Sequence, residues 1–280
     1  MIRKIFVPLE ISAQDDVVIR YAVELARKFE AKLVFFKTYL ASEFAYPTSG
    51  MASIVPESNT LVLEEEEMRD AKLKFLKDNY PRLAELDYEL VILPGTPVDL
   101  LTQAANEKKS DLILIGTTGA SGFAELFGTM AESLSREASC PVLVIPDEFA
   151  YRGMNKISLA LDTDNVENGL HLDTLFDITK RFAASLDIVN VSENIDEADL
   201  HHNMIYSRIK KELKANVNYF SIRILLKDNE EKALEEYVDK NHVDMLALVY
   251  RDHGFFKRMF NPGLRKKMVY HTKIPLLVLK

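Results

Sequence analysis

The chain has 280 residues, 48% apolar and 28% charged, a balance that suits folded domains and excludes a disordered polymer. Its formal charge of −8 is unevenly spread: residues 1–150 carry 15 Lys and Arg against 24 Asp and Glu, the remainder 20 against 19. An acidic first half excludes a general nucleic-acid binder, which needs a basic face to displace counterions, and no apolar run reaches the ~18 residues of a membrane span.

A single cysteine, Cys140, closes no internal disulfide. The opening stretch MIRKIFVPLE is strand-like and lacks the longer apolar core of a signal peptide, so a cytoplasmic protein without membrane attachment is expected.

In chain order, Ile5 to Leu9 reads as a strand, with Pro8 where the chain leaves the sheet. A helix follows, with Ser12 as expected N-cap and Asp15 completing a capping box. Its apolar face is Val18, Tyr21, Ala22, Leu25 and Ala26, at 3.6-residue spacing. Lys32 to Tyr39 is the second strand. Residues 40–60, with two prolines, a glycine and several serines, read as a loop. Leu61 to Tyr80 is a long helix whose run Glu64 to Glu67 points in several directions and therefore reads as a solvated face. Tyr88 to Leu93 is the third strand, closed by PGTPVDLL, which turns into a helix ending near Lys109. Asp111 to Pro146 then supplies a strand (Leu112 to Ile115), a glycine-rich stretch GTTGASGFAELFGT, a helical pattern (Met130, Leu134, Ala138) and a fifth strand (Pro141 to Ile145).

The alternation β-α-β-α-β-α-β-α-β predicts a parallel, doubly wound α/β sheet. Ligands of such sheets bind beyond the carboxyl ends of the strands, where the strand order reverses. A glycine-rich turn between strand and helix lets backbone N–H groups approach phosphate oxygens.

The chain then repeats itself. KISLALDTD from Lys156 parallels KIFVPLEIS from Lys4, DMLALVYRDHG from Asp244 parallels DLILIGTTGAS from Asp111, and KIPLLVLK parallels SCPVLVIP. Further elements fall at Leu170–Ala184, Leu186–Val191, Asp199–Ala215, Tyr219–Leu225 and Glu230–Lys240. Two tandem copies are expected, residues 1–147 and 154–280, with the boundary between Asp147 and Asn155.

With the VPLE strand exit, the PGTPVDLL turn, the GTTGASGFAELFGT loop and the terminal CPVLVIP and IPLLVLK strands, the chain resembles a tandem universal stress protein, two UspA-type domains in one polypeptide. The resemblance implies two Rossmann-like domains, each an open five-stranded sheet whose fifth strand mediates pairing. It also implies an adenine nucleotide, ATP or AMP, in the first domain, with magnesium only as the nucleotide's companion. The implied partners are that nucleotide and the paired domain, or a second chain in a homodimer.

Nucleotide-binding members carry G-x2-G-x9-G-[ST] after the fourth strand. Gly116 and Gly119 match the first pair, with Thr118 beside them; Gly128 and Thr129 match the closing pair, and Met130 follows. Pro8 and Glu10 occupy the first-strand exit, where the family has an aspartate near the ribose, and Thr38 falls where the second strand lines the adenine pocket. Each position also has a plainer reading: the loop as an ordinary strand–helix turn, Glu10 as a solvated carboxylate, Thr38 as a strand end.

Two departures stand out. Eight residues, not nine, separate Gly119 from Gly128, and Glu10 replaces the shorter aspartate. In the second copy Val249, Asp252 and Pro262 replace the glycines, so phosphate binding is expected to be lost there. The loop sequence supplies no Lys or Arg for phosphoryl transfer, so a binding module rather than an enzyme is expected, with slow ATP hydrolysis as the outer alternative. Cys140, abutting Pro141 at a buried strand, reads as an inert core thiol. The adjacent His201 and His202 would diverge on a helix and make no metal site.

Overall fold

The computed structural model describes residues 1–9, 11, 13–39, 58–107, 109–116, 131, 133–146, 149–161, 171–192, 207, 209–226, 230–250 and 274–280. Ten strands run through it: β1 (Lys4–Pro8), β2 (Lys32–Tyr39), β3 (Tyr88–Pro94), β4 (Leu112–Gly116), β5 (Val142–Ile145), β6 (Lys156–Ala160), β7 (Ser185–Ser192), β8 (Phe220–Leu226), β9 (Met245–Val249) and β10 (Leu276–Leu279). The helices used below are α1 (Asp16–Phe29), α2 (Ser58–Asn79), α3 (Pro97–Glu107), α4 (Asp173–Phe182) and α5 (Glu230–Asn241). Residues 133–137 and 209–216 are also helical.

The strands form one sheet in the order β3-β2-β1-β4-β5-β10-β9-β6-β7-β8. Every neighbouring pair is parallel except β5 with β10, which is antiparallel. The expected parallel, doubly wound α/β architecture is therefore present. The two five-stranded sheets meet edge to edge, so the chain closes with itself the open edge that each would otherwise expose.

The central strands are apolar without alternation: β4 and β5 are buried along nearly their whole length, as are β9 and β10. Helices on both faces demand that pattern. Helix α1 covers one face with Val18, Tyr21, Ala22, Leu25 and Ala26, all buried as the spacing predicts. Its start differs from the expected capping box. A 3-10 turn, Ala13–Asp15, precedes the helix, and Asp15 sits at the N-cap with no side-chain cap hydrogen bond. Ser12 lies outside the described residues. The first turn is secured instead by Asp16, which accepts hydrogen bonds from Arg20 Nε at 2.7 Å and Tyr80 Oη at 3.0 Å.

The internal repeat is visible in matching bonds. Asp111 Oδ2 accepts the backbone N–H of Arg3 and Lys4 at 2.8 and 2.9 Å; Asp244 Oδ2 accepts those of Asn155 and Lys156 at 2.8 and 3.0 Å. Each aspartate precedes the fourth strand of its half and ties it to the start of the first strand. The junction between the halves is pseudo-symmetric: Leu277 pairs with Leu143, its own counterpart in the repeat, and Leu276 and Val278 pair with Val144 and Val142.

Candidate functional site

In the first half the order β3-β2-β1-β4-β5 reverses direction between β1 and β4. Successive strands run outward from β1 to β3, and the chain then crosses back to β4 on the other side. At such a reversal a crevice opens beyond the carboxyl ends of the two strands, and that is where a ligand meets an open sheet. Ile5 pairs with Leu112 and Phe6 with Ile113, so Pro8 and Gly116 end these two strands side by side at the mouth of that crevice.

The neighbouring ends are also placed. Leu9 N–H donates to the Phe36 carbonyl at 2.9 Å, keeping the chain in the sheet one residue beyond β1. Thr38 stands two residues further along β2, half-buried and opposite Leu93. Gly95 N–H donates to the Tyr39 carbonyl at 2.9 Å and turns β3 toward α3 with φ of +135°. Thr96 Oγ1 bonds Asp99 Oδ2 at 3.1 Å, which fastens the start of α3. Of the sequence-predicted site residues, Pro8, Thr38 and Gly116 thus share the carboxyl-end rim. Glu10, Thr118, Gly119, Gly128, Thr129 and Met130 lie outside the described residues.

Sequence reading missed the residues of α2 that hold this rim. Lys72 Nζ donates to the Ile11 carbonyl at 3.1 Å. Arg69 Nη1 donates to the Leu90 carbonyl of β3 at 2.8 Å, and Arg69 Nη2 to Glu65 Oε1 at 3.0 Å. Tyr39 Oη donates to Glu65 Oε2 at 3.1 Å; burial and that carboxylate hold the phenol above its ordinary pKa. Glu65, within the run read as a solvated face, is therefore engaged with the sheet. An isolated glutamate run gives no sign of which member turns inward. Glu66 and Glu67 are exposed, as expected.

Among the described residues no group of three His, Cys, Asp or Glu is placed to hold a metal, and no helix is long and apolar enough to cross a membrane. Cys140 is buried, and burial raises its thiol to a pKa of about 11, against an ordinary 9.0. A thiol so disposed stays protonated and unreactive at neutral pH.

A doubly wound sheet with a crevice at its reversal point defines a broad class of nucleotide- and small-molecule-binding folds. Comparison with known proteins narrows it. The universal stress protein family matches residues 1–146. A universal stress protein of Methanocaldococcus jannaschii is 29% identical over 145 residues, covering 51% of this chain and 81% of that protein. One of Bacillus subtilis is 28% identical over 149 residues, 52% of this chain and 99% of that protein. The fold of a universal stress protein from Archaeoglobus fulgidus covers 99% of this chain and 96% of that one, with a TM-score of 0.66 at 17% identity. The chain belongs to the universal stress protein family.

Proposed function

We propose that this protein is a non-catalytic stress-response module of the cytoplasm. Its first domain, residues 1–147, binds an adenine nucleotide, ATP or AMP, and its second, residues 154–280, is a pairing copy that has given up the ligand. The observation that carries the reading is the placement of Pro8 and Gly116 together at the reversal of strand order, with the glycine-rich sequence leaving the sheet at that point. Thr38, half-buried on the adjoining strand, would wall the base side. Gly119, Gly128 and Thr129 would hold the phosphates through backbone N–H groups and a hydroxyl, with Thr118 and Met130 flanking them and Glu10 facing the ribose. Magnesium, if used, would come with the nucleotide.

The test is calorimetry with ATP and AMP, joined to mass spectrometry of ligand released from the denatured protein. Saturable binding to the parent and loss of at least 100-fold in affinity in Gly119→Asp, through blocked backbone approach and charge repulsion, support the reading. Absence of binding in a folded parent ends it.

One observation favours a second reading, a ligand-free interaction protein in which neither copy binds nucleotide. The loop between Gly119 and Gly128 is one residue shorter than the binding pattern. Adenine nucleotide found in the protein as purified would dispose of this alternative. Turnover is the remaining outcome: ATP hydrolysis that a Glu10→Gln variant abolishes would make the protein an ATPase.

A further inference from the structure

Five non-glycine residues in the described chain have positive φ. Glu30, Lys109, Ala183 and His242 each stand at the carboxyl end of a helix, where a left-handed residue closes the last turn. Ile11, with φ of 56°, does not. It lies between the end of β1 and the 3-10 turn before α1, and it is 1% exposed. A left-handed conformation is costly for a β-branched residue, and such strain persists only where the surroundings over-determine it. The surroundings here are the packing of the Ile11 side chain and the Lys72 ammonium, whose bond to the Ile11 carbonyl crosses 61 positions of sequence.

Lys72 does not act alone in tying α2 to this rim. Arg69 from the same helix holds β3, Glu65 holds Tyr39 at the end of β2, and Tyr80, just beyond the helix, holds Asp16 at the start of α1. One helix and its tail therefore hold the exits of β1 and β2 and the middle of β3 on this side of the reversal point, and the bond beyond β1 falls on the strained residue.

We infer that Lys72 is a positioning residue: by holding Ile11 left-handed it presets the β1 exit in the shape that a ligand in the crevice requires. The ordering of that exit is then complete before binding and is not charged against affinity. This rests on the nucleotide reading above for the identity of the ligand, but the preset conformation itself belongs to the ligand-free chain.

The experiment uses the full-length chain and three proteins: parent, Lys72→Met, which keeps the side-chain stem and removes the donors, and Lys72→Arg, which restores a cationic donor. Amide hydrogen exchange without ligand reads the conformation; calorimetric titration with ATP and with AMP reads its consequence. Lys72→Met is expected to raise exchange at least tenfold in the amides around residues 9–16 while leaving the strands β4 and β5 protected. It is expected to weaken nucleotide affinity about tenfold, with Lys72→Arg recovering most of both. Unchanged exchange around residues 9–16 overturns the inference. So does a uniform rise across the whole first half, which would mark Lys72 as merely stabilising, and so does unchanged affinity in a parent that binds. If the parent binds neither nucleotide, the functional reading fails, and the local exchange change together with its rescue by arginine still decides the positioning claim.

Discussion

At the scale of single residues, two groups give direct tests of the structure. Gly95 turns β3 into α3 at φ of +135°, and a Cβ built there would meet Leu100 Cδ1 at 2.8 Å. The leucine tip can shift, but the backbone angle is one that side-chain-bearing residues rarely adopt. Gly95→Ala should therefore lower unfolding free energy by about 1–3 kcal/mol, read as a lower urea midpoint at unchanged m-value. Cys140 gives a pH prediction. Burial raises its thiol to about 11 in the folded protein against an ordinary 9.0. A raised folded-state pKa means stability is fully present below pH 9 and lost as pH climbs toward 11, where the unfolded chain ionises first. Cys140→Ala should flatten that alkaline decline in a series of denaturation curves from pH 8 to 11. The native thiol should resist alkylation at pH 8 until denaturant is added. An alkaline limb identical in the two proteins would show that the thiol is not protected as its burial implies.

At the scale of elements, the strands and apolar helix faces were legible because burial on both faces leaves continuous apolar runs, as in Leu112 to Ile115 and Leu143 to Ile145. Helix starts were less so. The Ser12–Asp15 pattern suggested a capping box, whereas the chain makes a 3-10 turn there, tied down by Tyr80 from far along the sequence. Nor does sequence mark Ile11, since isoleucine carries no signal for a left-handed backbone. The resemblance pointed to the crevice and to Pro8, Thr38 and Gly116, but the residues of α2 that grip it have no local signature.

The second half carries another feature that periodicity hides. Ser158, Asp187 and Ser221 lie in register across β6, β7 and β8, where the first half has Phe6, Val34 and Glu89. The buried Asp187 carboxylate accepts hydrogen bonds from Tyr237 Oη of α5 at 2.7 Å and Ser221 Oγ at 2.6 Å. Ser158 Oγ, fully buried, has no hydrogen-bond partner among the described residues. A buried carboxylate whose charge is met by two hydroxyls and by Lys156 Nζ at 3.8 Å fixes how α5 lies on the sheet more than it stabilises it. Asp187→Val, importing the residue of the first half, should cost about 2–4 kcal/mol because it removes the acceptor of the buried Tyr237 hydroxyl. Adding Tyr237→Phe and Ser221→Ala should restore most of that loss in thermal or urea unfolding. A triple variant no more stable than Asp187→Val would mean the cost lies in packing rather than in unmet hydrogen bonds.

At the scale of the whole molecule, the antiparallel β5–β10 pair makes one ten-stranded sheet from two five-stranded ones, and its centre is the pair Leu143 and Leu277, both fully buried. Around that seam the contacts are of unequal worth. Phe29 packs on Phe182 with ring centroids 6.3 Å apart, and the Lys280 ammonium donates to the Ser135 carbonyl across the junction. Arg181 bonds Glu30 at 2.9 Å, but the side chains are 41% and 84% exposed, so solvent screens the pair and Arg181→Ala should change stability by no more than about 1 kcal/mol. A charge at the centre is a different matter. Leu277→Glu places a carboxylate in a fully buried apolar position, and its counterpart Leu143 loses the methyl groups of its pairing partner. The expected result is a loss of at least about 3 kcal/mol. Because the damage falls on the β5–β10 seam, small-angle scattering should show an enlarged radius of gyration before either half loses its helical circular dichroism. Leu277→Met, which keeps volume and apolarity, should behave as the parent. If Leu277→Glu instead unfolded in one step with no expanded intermediate, the seam would be part of a single cooperative core, and the pairing of the two copies would be a condition of folding rather than a docking of finished halves.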